Sequence, residues 1–130
     1  MSSERTRLQI ETFGKALGTL HRALGMNETT EIRDSVIKRF EYTFEMAWKS
    51  LHRVLTDMGE NLPQMVGPVL QSAFIGRLIS DPDLWERLRE YRNKTAHAYD
   101  ERVAVDVAAF VRAVAASEFD RLFAELSKIS

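Results

Sequence analysis

The feature that most limits what this chain can fold into is the stretch from Glu31 to Met58. There Ile37, Phe40, Phe44, Trp48, Leu51, Leu55 and Met58 follow one another at steps of three and four. That spacing gathers the large apolar side chains on one stripe of an α-helix and would scatter them over both faces of a strand. At 1.5 Å per residue the helix would be roughly 40 Å long. An element of that length with one apolar stripe is the spine of a bundle, and the rest of the chain has to cover it. Asn27 to Thr30 offer N-cap oxygens ahead of it, and Gly59 closes it.

The same spacing marks the other elements. Ile10, Phe13, Leu17, Leu20 and Leu24 predict a first helix ending near Gly25. Pro63, Gly67 and Pro68 mark a loop, from Asn61 to Pro68, with room to fold over a cleft or away from it. A short helix is expected from Val69 to Ile79, then a turn at Ser80, Asp81 and Pro82. Leu84, Trp85, Leu88 and Tyr91 open a fourth helix, with Pro82 suited to its first turn. Asp100 or Glu101 precedes a last helix whose buried side is Val103, Val107, Val111, Val114, Phe119, Leu122 and Leu126. No segment alternates with period two for long enough to make a strand, and no unit repeats. The expected architecture is all-α: one domain over residues 1–130, an up-and-down bundle of four long helices plus one short helix.

A chain of 130 residues can bury a core without metals or disulfides to hold it. It has no cysteine, which excludes thiolate zinc sites, thiol nucleophiles and disulfide frameworks and fits a reducing compartment. Met1 to Arg7 lack an apolar signal core, and charges interrupt every hydrophobic stretch, so a cytoplasmic protein with no membrane span is expected. Eighteen basic residues against nineteen acidic ones give a formal charge of −1, so any contact with RNA would be local. Gly59, Gly67 and Gly76 match no phosphate-binding loop.

Reactive side chains crowd one helix end: Arg87, Arg89, Arg92, Asn93, Lys94, His97 and Tyr99, followed by Asp100 and Glu101. His97 can move a proton near neutral pH, and the planar cation of Arg92 suits a phosphate. Together they fit RNA cleavage, in which a ribose 2′-hydroxyl attacks the adjacent phosphorus and no metal is required. On a straight helix Arg92 and His97 lie about 140° apart. Asn93 with His97 and Arg92 with Tyr99 form two neighbouring strips, and a symmetric dimer would join two such surfaces into one cleft. The same Arg and His would equally complement the dipole of a helix C-terminus. His21 and His52 stand alone and read as surface or boundary positions. No pair of histidines has ligand spacing, and Glu41, Glu45 and Lys49 read as intrahelical pairing, so no metal or cofactor is expected. Phe40, Phe44 and Trp48 read as core rather than as a base-stacking platform.

The segment Arg92-Asn93-Lys94-Thr95-Ala96-His97-Ala98-Tyr99 resembles the Arg-x4-His-x-Tyr motif of HEPN proteins. With Lys38 to Lys49 and the continuation Asp100-Glu101, the chain is similar to the HepT-like branch, also called nucleotidyltransferase substrate-binding proteins. The resemblance implies a dimeric helical bundle paired with an MNT-type nucleotidyltransferase, as toxin and antitoxin or as a two-part transferase. It implies that Arg92 and His97 are a ribonuclease pair oriented by Asn93. It also implies that Tyr99 is the hydroxyl the nucleotidyltransferase adenylylates. Arg89 and Lys94 would be cations for RNA or nucleotide. The expected function is a metal-independent endoribonuclease toxin. The alternatives are a subunit that binds substrate or nucleotide for the transferase without activity of its own, and a dimerising scaffold.

Overall fold

The computed structural model describes residues 3–129 and is helical throughout, with no strand among the described residues. Met1, Ser2 and Ser130, the chain ends included in the expected 1–130 domain, lie outside the described residues. The helices are α1 (Glu4–Leu24), α2 (Thr30–Asp57), α3 (Val66–Ile75), α4 (Pro82–Lys94), α5 (Glu101–Phe110) and α6 (Ala116–Ile129). A π turn, Val111–Ala115, joins α5 to α6, so 101–129 is one continuous helical run. That makes the expected four long helices and one short helix.

The spine forms as the spacing required. Thr29 caps α2 by accepting the Ile32 N–H at 3.1 Å. At the far end Gly59 takes φ 97°, which only glycine adopts without cost. The Gly59 N–H then reaches the Thr56 carbonyl and the Glu60 N–H the Leu55 carbonyl, each at 3.0 Å, which satisfies the last carbonyls of the helix. α2 packs against each of the other five helices, and α1 folds back along it through a short connection. Among the described residues no helix is long and apolar enough to cross a membrane.

α3 begins and ends earlier than its spacing indicated, at Val66 and Ile75 rather than Val69 and Ile79. Arg77 enters the left-handed region at φ 63°, and the Leu78 N–H closes onto the Ala73 carbonyl at 2.9 Å. Leu78 and Ile79 therefore serve the core from a turn. Within the last helical run, Val103 and Val114 lie at the edge of the core, and Ala115 takes the buried place. The wider π turn also carries Arg112, which donates to the Leu24 carbonyl at the end of α1 at 2.8 Å.

Phe119 is the hub of the core, with ring centroids 6.3 Å from Phe13, 6.1 Å from Phe40 and 6.2 Å from Trp85. Trp85 is fully enclosed, and its indole N–H donates to Glu118 Oε2 at 2.7 Å. Arg121 grips the same buried carboxylate through Nε at 2.9 Å and a terminal nitrogen at 2.7 Å. Both carboxylate oxygens are thus occupied, which is what makes the burial of a charge tolerable. Glu118→Ala strands the indole N–H and is expected to lower stability by about 1–3 kcal/mol. Glu118→Gln, which keeps an acceptor, should lose less; urea denaturation of both variants measures the difference.

Candidate functional site

The helix that bears the motif is set at both ends by its own residues. Asp81 caps α4 by accepting the Leu84 N–H at 3.0 Å, and Pro82 occupies the first turn, where its missing N–H is harmless. Trp85 and Leu88 are fully buried, and Arg92, four residues on, continues that stripe as a half-buried side chain. α4 then stops at Lys94. The Thr95 hydroxyl turns back to the Arg92 carbonyl at 2.6 Å, and the backbone tightens into a 3₁₀ turn, Thr95–His97.

The turn is bonded at each step. The Ala98 N–H reaches the Thr95 carbonyl at 3.2 Å, and the Asp100 N–H reaches the His97 carbonyl at 3.0 Å. Asp100 then caps α5 by accepting the Arg102 N–H at 2.9 Å. A 3₁₀ turn winds about 120° per residue instead of about 100°, so the two straight-helix strips do not extend through the motif.

Asn93, His97 and Tyr99 are exposed. Tyr99 is 86% accessible, and its ring meets that of His97 edge to face at 6.1 Å. His97 lines a shallow cleft of about 380 Å³ with Lys94, Asp100, Arg102 and Asp106, to which Arg92 does not contribute. Tyr99 lines an adjoining hollow of about 330 Å³ with Arg33, Asp34 and Glu101. Arg89 stands apart, in a groove between α3 and α4 beside Gly67, Phe74 and Trp85. The fold therefore groups Lys94 and His97 with Tyr99 beside them. It keeps Arg92 on the inner stripe of α4 and sends Arg89 elsewhere.

Next to Lys94 and Asp106, which line the cleft, Tyr91 stacks on Phe110, with centroids 3.8 Å apart and planes within 3°. The Tyr91 hydroxyl donates to Asp106 at 3.1 Å, and Lys94 Nζ lies 3.4 Å from the same carboxylate and 4.4 Å from the Tyr91 ring. Lys94 is thus engaged locally, and two carboxylates offset the two permanent cations of the cleft. No group of three or more His, Asp or Glu side chains among the described residues is arranged to hold a metal.

Spacing alone had not singled out Arg33 or Asp106. Arg33 pairs with Glu28 at 3.6 Å and Glu101 at 3.8 Å, and its Nε is buried without a partner. Both residues reach the site across the fold, from α2 and α5, and leave no local signature in the sequence. His52, read as a surface or boundary position, is in fact buried under the 61–65 loop. His21 is exposed as expected and meets Asp120 at 2.7 Å.

A helical bundle with an Arg-Asn-x3-His-x-Tyr turn at one end is the class this fold and site define. The family model described as nucleotidyltransferase substrate binding protein like matches residues 8–128, and the chain belongs to that family, whose domain is of the HEPN-like, HepT type. A crystal structure of a protein from Thermus thermophilus has the same fold, with a TM-score of 0.74. It is 27% identical in sequence, and the match covers 89% of this chain and 96% of that one. No curated protein matches the chain.

Burial, and then the bond to Asp106, raise the Tyr91 phenol above its ordinary value of 10.0. Between the unfolded and folded values the folded chain holds a proton that the unfolded chain has released. The stabilisation is therefore complete below about pH 10 and lost as pH rises through the folded value. Denaturation midpoints should fall above about pH 10, and Tyr91→Phe should flatten that fall.

Proposed function

We propose that the protein is a metal-independent endoribonuclease that works as a homodimer and is restrained by a partner nucleotidyltransferase that adenylylates Tyr99. The observation that carries this reading is the exposed pair His97 and Tyr99 on one hydrogen-bonded turn, their rings 6.1 Å apart. A proton-transfer group and a modifiable hydroxyl that close are affected by the same event. An AMP unit on Tyr99 would set negative charge and bulk beside His97 and occupy the space an RNA strand needs.

In the reaction, His97 takes the 2′-hydroxyl proton as O2′ bonds to the adjacent phosphorus. The bond from phosphorus to O5′ breaks, and O5′ takes a proton from the imidazolium of a second copy of His97. The products are a 2′,3′-cyclic phosphate and a 5′-hydroxyl. Arg92 offsets charge on the phosphorane, with Asn93 orienting it, and Lys94 attracts the strand; Arg89, in the groove between α3 and α4, has no part in this step. Because Arg92 and His97 line no common cleft in one chain, a second copy is what would bring an arginine to each histidine.

A second reading has its own support. The family description names substrate binding, and the carboxylates of Asp100 and Asp106 beside His97 oppose the approach of phosphate. In that reading the domain holds substrate or nucleotide for the transferase and has no activity alone.

Cleavage of a labelled RNA pool in EDTA separates the two. The ribonuclease reading expects cyclic ends and a loss of about 10²–10⁴-fold in His97→Ala, with Arg92→Ala also inactive. Full cleavage by both variants, or none by unmodified wild type, contradicts it. Incubation with the partner transferase and ATP should add AMP units to wild type and none to Tyr99→Phe, which intact-mass measurement reads directly.

A further inference from the structure

At the other end of α2 from the motif lies a cavity of about 260 Å³ whose wall carries four basic side chains. Lys49, His52 and Arg53 fall at spacings of three and four on α2, and Arg5 and Gln9 at a spacing of four on α1, so two helix faces meet across it. Gln64, from the connection between α2 and α3, closes the rim. No carboxylate lines the cavity. Glu45 pairs with Lys49 from its edge at 3.5 Å while accepting the Trp48 indole N–H at 3.0 Å, and Asp57 acts on Arg53 only at longer range. Neither Arg5 nor Arg53 forms an ion pair among the described residues.

The second observation is polar dissatisfaction. Only three buried side-chain nitrogens or oxygens among the described residues have no hydrogen-bond partner, and two of them, His52 Nδ1 and Arg53 Nε, belong to residues of this wall. His52 is 8% exposed, and its other nitrogen lies 3.0 Å from the Leu62 carbonyl. That nitrogen must donate, which leaves Nδ1 as the unpartnered atom. Buried polar atoms without partners are rare, and finding two of them in neighbouring residues of one wall marks this as an unusually polar, carboxylate-poor corner of the bundle.

We propose that this cavity is a binding site for a phosphomonoester, the terminal phosphate of a small ligand. Arg5 and Arg53 clamp it from facing helices, Lys49 adds a third charge, and the Gln9 and Gln64 amides complete the cage. Planar guanidinium groups on two sides suit a dianion with three free oxygens better than a planar carboxylate or a bridging diester, which offer fewer. The site is separate from the motif. Lys49 follows Arg33 by sixteen residues, about 24 Å along α2, and the proposal stands whether or not the ribonuclease reading does.

The test is titration of the whole chain with inorganic phosphate, AMP, adenosine, acetate and a hydroxyl-ended oligoribonucleotide, followed by calorimetry and by the His52 ring nitrogen resonances. Phosphate and AMP should shift the His52 resonances saturably with one site per chain, while adenosine, acetate and the diester strand should leave those resonances unmoved, whatever the strand does at His97. Arg5→Gln, at an exposed position, and Arg53→Gln should each weaken phosphate binding about tenfold or more, and His97→Ala should leave it unchanged. No saturable shift at His52 in wild type, an equal His52 shift with acetate or the diester strand, or loss of the phosphate-induced shift in His97→Ala would each overturn the proposal.

Discussion

A buried hydrogen bond from the Trp85 indole to the Glu118 carboxylate, 2.7 Å long, holds the helix that bears the motif. α4 has 13 residues, a length at which a helix in water is marginal unless packing fixes it. Trp85 and Leu88 provide that packing, and the bond to Glu118 sets which way α4 faces around its axis. Arg92 lies two turns beyond Trp85 on the same stripe, so its half-buried position follows from the indole's. The exposed turn beyond inherits its direction in turn. Thr95 bonds back to the Arg92 carbonyl, and His97 and Tyr99 then point outward from a backbone that is hydrogen-bonded at each step. Arg121 completes the arrangement by satisfying the rest of the Glu118 carboxylate.

The charge balance of the whole chain conceals two different surfaces. Around His97, Asp100 and Asp106 offset Lys94 and Arg102, and the cleft is close to neutral. Around His52 no carboxylate lines the wall, and the cations of Arg5, Lys49 and Arg53 face one cavity. The spine separates the two, with the motif near its first turns and the basic cavity near its last. A neutral cleft gives one chain little hold on a polyanion. In the proposed ribonuclease a second copy would have to bring Arg92 to the strand, because doubling a neutral cleft adds as many carboxylates as cations.

Much of the bundle was legible in the sequence because helical spacing survives in almost every element. The stripes of α1 and α2 and the breaks at Gly25 and Gly59 appear where periodicity and glycine put them. α3 was misplaced by a few residues because Leu78 and Ile79 look like a continuing stripe while belonging to a turn closed through Arg77. The motif's residues were identifiable, but their arrangement was not. A straight-helix projection takes α4 through Tyr99, whereas the Thr95 hydroxyl ends it at Lys94. Arg89 read as a companion of Lys94 and sits instead against Gly67. His52 read as a surface or boundary position because nothing in its helix reveals that the 61–65 connection folds across it.

In the proposed ribonuclease one chain carries half a site: His97 is exposed, Arg92 is held back on the inner stripe, and the two would combine only between copies. The direct measurement is sedimentation equilibrium over a range of protein concentrations, paired with single-turnover RNA cleavage at the same concentrations. A reversible dimer is expected, with cleavage per chain rising in step with the dimer fraction. Cleavage per chain that stays constant while the protein is monomeric would contradict it.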